Sequence, residues 1–128
     1  MNVTVVQGLE QQLKDAKELV ERRDLVLELS NNRAFRKVIM DGFCRDDCAR
    51  FTHESTDPNL TPLQRADALQ SAQAAGALKR FLSQQFQLGQ TASADVNEIE
   101  ENLAEARAEE DAASTVVNQP AETHGDLA

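Results

Sequence analysis

The chain has no tryptophan and no tyrosine, and its five aromatic residues are all phenylalanine. Large buried anchors are therefore scarce, and leucine, valine and alanine must supply most of the packing. With 128 residues the chain is long enough for one small domain or a helical assembly module. A single core at this length holds itself together only modestly. Apolar runs are only a few residues long, far short of a membrane-spanning helix, so no membrane partner is expected. Residues 1–20 contain Glu10, Lys14, Asp15, Lys17 and Glu18, a pattern that does not fit a signal peptide. With no secretory signal, the two cysteines are expected to be free thiols in a reducing compartment. The Asn2 and Asn59 glycosylation patterns then read as chance.

Basic residues are missing from one region in particular. Residues 1–91 hold twelve Lys or Arg and twelve Asp or Glu, whereas residues 92–128 hold ten acids and Arg107 alone. The whole net charge of −9 sits in the last third. Nucleic-acid binders carry a basic stripe, and none is present, so direct nucleic-acid binding is not expected. Basic protein surfaces, or water, are the partners an acidic segment suits.

Helical patterning fills most of the chain. Over residues 3–29, Val6, Leu9, Leu13, Ala16, Val20 and Leu27 step by three, four, three, four and seven, a heptad seam interrupted at Arg23. This fits an ordinary amphipathic helix or one that pairs between chains. Ser30-Asn31-Asn32 is a break and a cap. A second helix follows from about Arg33, with Phe35, Val38, Ile39 and Phe43 on one side and Gly42 as a point of weakness. Residues 55–60 have turn composition. Thr61-Pro62-Leu63-Gln64 then carries the strongest local signal, a capping box with proline at the first helical position. That helix is expected to run to about Leu88 and stop at Gly89. Its apolar stripe is Leu63, Ala74, Leu78, Phe81, Leu82 and Leu88, with Phe86 at the edge. The small residues 72–77 invite a second helix to approach, and Gly76 points to contact there. The central helices should form a hairpin through Phe35, Ile39, Leu78 and Phe81. A further helix starts near Ser93, with Val96, Ile99, Leu103 and Ala106 as a second narrow seam among like charges that need a partner.

No strand signal survives, so the fold class is all-α. The expected organisation is an N-terminal amphipathic, coiled-coil-like helix (1–30), a helical hairpin core (31–91), an acidic helix (92–112) and a flexible tail (113–128).

CRDDCARFTH, residues 44–53, is the one stretch with reactive side chains in close sequence. A zinc site would draw on Cys44, Cys48 and His53, but the spacing is Cys-x3-Cys with no second pair, and His124 lies far along the chain. A redox pair would favour Cys-x-x-Cys near a helix start, and cysteines one helical turn apart lack disulfide geometry. An interchain bridge is a further option. The simplest reading makes Cys44, Cys48 and Phe51 one helix face, with cysteine acting as a small hydrophobe. Asp46-Asp47 and Glu109-Glu110-Asp111 are sequence neighbours that point apart on a helix, so they do not form convergent carboxylates. No metal, cofactor or catalytic residue is assigned, and an enzyme is not expected.

The stretch LELSNNRAFRKVIMDGFCRDDCARF, followed by DPNLTPLQ and GALKRFLSQQFQLGQTA, resembles small helical proteins encoded among the virion and head-assembly genes of tailed bacteriophages. The likeness covers roughly residues 25–92 and is one of pattern. It implies a structural or assembly role in many copies, located in the virion or in the host cytoplasm during assembly. Implied partners are a capsid, portal or other virion protein, and further copies of the chain. The seams supply candidate contact residues: Val6, Leu9, Leu13 and Val20 on one, and Val96, Ile99 and Leu103 on the other. The acidic third supports an alternative role, an inhibitor or DNA mimic that occupies a nucleic-acid-binding protein.

Overall fold

A computed structural model describes residues 4–118, with side chains through residue 115. The fold is all-α, with three helical rods in chain order. The first helix is Val5–Asn31. The middle helix is continuous from residue 33 to 54, built from an α turn (Arg33–Phe35), a π-helical stretch (Arg36–Asp47) and an α-helical end (Cys48–Glu54). The long helix is Pro62–Asn118. At 1.5 Å per residue its 57 residues span about 85 Å.

Each start has a local cause. Thr4 Oγ1 accepts from the Gln7 amide at 3.0 Å, and Gln7 Oε1 accepts from the Thr4 amide at 3.2 Å. The same reciprocal box opens the long helix: Thr61 Oγ1 accepts from Gln64 N–H at 3.1 Å, and Gln64 Oε1 accepts from Thr61 N–H at 2.9 Å. Between the first two rods, Asn32 leaves the helical region and its Oδ1 accepts from the Phe35 amide at 2.8 Å. The turn before Pro62 thus lies where composition places it, and the expected break over residues 30–32 narrows to Asn32, because the first helix runs through Asn31. In that turn Asp57 Oδ1 accepts from the Asn59 amide at 2.9 Å, and the Arg65 guanidinium donates to the Asp57 and Leu60 carbonyls.

Both shorter rods run antiparallel to the long helix and follow one another along it. Arg107 pairs with Glu10 at 3.2 Å, Lys17 with Glu100 at 3.7 Å, and Arg23 Nη1 donates to Gln90 Oε1 at 2.8 Å, so rising numbers on the first helix meet falling numbers on the long one. Further along, Cys44 Sγ reaches the Ala75 carbonyl at 3.8 Å and Cys48 Sγ reaches the Ala72 carbonyl at 3.7 Å. The molecule is a rod two helices thick.

The long helix does not stop at Gly89. Among the described residues no glycine has positive φ, so Gly89 is not a terminating cap. It is instead the point of closest approach to the first helix. A Cβ at this position would stand 2.1 Å from Arg23 Cβ and 2.8 Å from the Leu19 carbonyl oxygen. Arg23, which looks like a fault in the heptad seam, lies across Gly89 with its stem and takes its head out to Gln90 and Asp24. Gly76 is the reverse case. An added Cβ there meets only the Arg80 side chain, at 3.6 Å, so the expected helix contact at Gly76 is absent.

The expected boundary between residues 91 and 92 is likewise not a break, because the acidic segment is the second half of one helix. That helix also takes in residues 113–118, which the sequence places in the tail; the rest of the tail, with His124, lies outside the described residues.

The inner face of the long helix runs at steps of three and four through Ala68, Ala72, Ala75, Leu78, Leu82, Phe86, Gly89, Ala92, Val96, Ile99 and Leu103. Ala75 is fully buried. Of the stripe expected from the large apolar residues, only Leu78, Leu82 and Phe86 turn inward. Leu63, Phe81 and Leu88 are exposed, and so is Ala74. Small residues take the inside because the middle helix comes close enough for its thiols to touch backbone carbonyls. On the first helix Val26 is buried and Leu27 is exposed, so the seam follows the straight-helix period of 3.6 rather than a strict heptad.

Candidate functional site

The cysteines resolve first. Cys44 is buried and Cys48 partly so, both are free, and both face the alanine stripe of the long helix. Phe51 continues that face and lines a groove with Leu60 and Ala68. Burial pushes the Cys44 thiol up from its ordinary range, with Lys79 pulling the other way and Cys48 adding to the rise. A raised pKa keeps the sulfur protonated and a poor nucleophile. His53 is exposed at the end of the middle helix. Among the described residues no three His, Cys, Asp or Glu side chains gather into a metal-holding group. Asp46 and Asp47 instead pair outward with Arg45, at 2.9 Å, and Arg50, at 3.8 Å.

The middle helix explains its own winding. Phe35, Ile39, Phe43 and Asp47 are half-buried at steps of four, and Met40, Cys44 and Cys48 accompany them. A residue set recurring every four to five positions stays on one face only if the helix widens beyond 3.6 residues per turn, as the π-helical stretch does. Val38, expected inside, is 64% exposed, because it falls outside that wider period.

The two candidate seams meet each other. Leu13 and Leu103 line one groove between the first and long helices, while Ala16, Leu19, Ala92 and Ile99 line another on the opposite side of the pair. Leu103 is buried, and Val6, Leu9, Leu13, Val20, Val96 and Ile99 are half-buried. The acidic helix thus finds the partner its narrow seam requires inside its own chain. These seven residues hold the rod together, and the free surface lies elsewhere.

That surface is the middle of the rod. Leu88 and Leu19 line the same groove, of about 370 Å³, together with Asp15 and Asp95. Phe81 stands one heptad before Leu88 and Leu29 two heptads after Asp15, so both continue that side toward the break at Asn32. Leu25 stands one turn from Leu29. Exposure is 47% for Phe81, 48% for Leu88, 53% for Leu25 and 42% for Leu29. On the long helix residues 81–94, FLSQQFQLGQTASA, contain no charged side chain, whereas on the first helix Leu25 and Leu29 stand among the exposed Glu21, Arg22, Asp24 and Glu28. A water-facing helix surface usually carries charge, whereas the centres of protein interfaces are depleted of it. An exposed apolar strip rimmed by polar residues is the pattern of a contact face.

The ends differ from this centre and from each other. Residues 95–118 hold eight acids and Arg107 alone, while residues 33–80 hold eight Lys or Arg and six Asp or Glu. Glu98, Glu101, Glu105 and Glu109 are exposed on one side of the long helix. Among the described residues no helix is long and apolar enough to cross a membrane. No protein-family model, curated protein or solved structure matches this chain.

Proposed function

We propose that the chain is a non-enzymatic structural or head-assembly protein of the tailed-phage kind, working through helix-mediated contacts in the virion or in the host cytoplasm during assembly. Its partners are a capsid, portal or other virion protein and further copies of itself, in a capsid-associated, minor capsid, decoration or prohead-core role. The observation that carries this reading is the exposed strip of Leu25, Leu29, Phe81 and Leu88, bordered on the long helix by the uncharged residues 81–94. The resemblance over residues 25–92 supplies the phage setting. The Cys44 thiol is buried and held protonated, and Asp46 and Asp47 are paired with Arg45 and Arg50.

Mass spectrometry of purified particles and assembly intermediates tests it. The chain is expected at a fixed multi-copy stoichiometry, and absence from both contradicts the role.

A second reading, an acidic inhibitor or DNA mimic, draws on the exposed row Glu98, Glu101, Glu105 and Glu109. Deleting the acidic third would remove half of the main helix pair, so the discriminating variant changes those four residues to glutamine. A DNA mimic would then lose its partner and its salt-dependent binding. An assembly protein would keep both its particle association and its helicity.

A further inference from the structure

We propose that the exposed apolar strip at the middle of the rod docks a second copy of this chain, antiparallel and related by a two-fold axis near Leu88, an assignment that rests on the assembly role given above. Three observations converge on a second copy as the occupant.

Area is the first. The chain exposes 9412 Å², where a compact monomer of its mass exposes about 6,700 Å². A standard interface buries roughly 800 Å² on each partner, and a rod two helices thick has that much surface free along one side. Position is the second. Leu88 lies close to the midpoint of Pro62–Asn118. A two-fold axis there sets Leu88 of one copy beside Leu88 of the other, which is the self-complementarity such symmetry demands.

Charge decides the orientation. A parallel pair would set the eight acids of residues 95–118 beside the same eight in the partner. An antiparallel pair sets them beside the end formed by residues 33–80, where basic side chains outnumber acidic ones by eight to six. On the long helix the centre between them, residues 81–94, carries no charge, and the first helix beside it carries both signs. Complementary ends also fix the register.

Sedimentation velocity of the full chain from about 1 to 100 µM is the test. A dimer is expected. Leu88→Asp and, separately, Phe81→Asp should each weaken it about 30-fold or more, since each charge enters the interface twice. Both positions are nearly half exposed in the single chain, so circular dichroism should show the helices intact. Raising salt from about 0.05 to 0.5 M should weaken the dimer, because the attraction between ends is screened. A chain that stays monomeric throughout overturns the proposal; if it is still found in particles at fixed stoichiometry, the assembly role stands without it. A dimer indifferent to both substitutions overturns the face, and one that tightens with salt overturns the antiparallel setting.

Discussion

One helix serves two partners along its length and does so differently at each end. Over residues 62–80 the long helix offers Ala68, Ala72 and Ala75, and the bulk comes from the middle helix as Cys44, Cys48 and Phe51. Over residues 88–107 both sides contribute branched aliphatic groups, Leu13 and Leu19 with Ile99 and Leu103, around one tight crossing at Gly89. The first arrangement brings backbones close and lets thiols touch carbonyls. Where size is removed from one helix, the facing helix must either supply it or come nearer.

Substitutions probe the two ends in order of expected effect. Leu103→Ala removes a buried leucine from the aliphatic end and should cost about 2–3 kcal/mol in a urea melt. Gly89→Ala should be destabilising by about 1–3 kcal/mol, because the new methyl collides with Arg23 Cβ and the Leu19 carbonyl oxygen. Gly76→Ala, in the same helix, should instead stabilise by up to about 1 kcal/mol through helix propensity, since the added carbon meets only Arg80. Opposite signs for these two glycines in thermal unfolding would fix the crossing at residue 89; equal signs would remove it.

The alanine end is probed through its thiols. At neutral pH a disulfide reagent should label Cys44 roughly ten-fold more slowly than Cys48, since burial both shields Cys44 and holds it protonated. The raised pKa also fixes a sign. Above about pH 9 the thiol ionises in the unfolded chain before it does so in the folded one, so Cys44 lowers stability as pH rises through that range. Cys44→Ala should flatten that part of the pH profile. Smallest of all, Glu10→Ala breaks only the exposed pair with Arg107 and should change stability by about 0.5 kcal/mol or less.

The capping signals were the most legible part of this sequence. Thr61-Pro62-Leu63-Gln64 makes the box its residue types specify, and Asn32 caps where the apolar pattern breaks. Gly89 was opaque for a physical reason. A glycine that ends a helix and one that admits a neighbour are the same letter, and only the phase of the pattern separates them. Leu82, Phe86, Gly89, Val96 and Leu103 keep one heptad phase through the glycine, which is the mark of a helix that continues. The alanine stripe is hidden because side-chain volume points to Phe81 and Leu88 as the inner residues, while the phase of the pattern points to the alanines. Those two residues belong to the candidate contact face. The seams that suit outside partners line shared grooves with each other instead. The four-residue period of the middle helix was visible in Phe35, Ile39 and Phe43 and went unused.

Small-angle X-ray scattering of the full chain tests the central claim, an extended rod whose seams are closed internally and whose middle is left free. A rod of about 85 Å has a radius of gyration near 25 Å, and antiparallel pairing about its centre leaves that length almost unchanged. A value near 14 Å, that of a compact globule of this length, would contradict the rod and the contact face together.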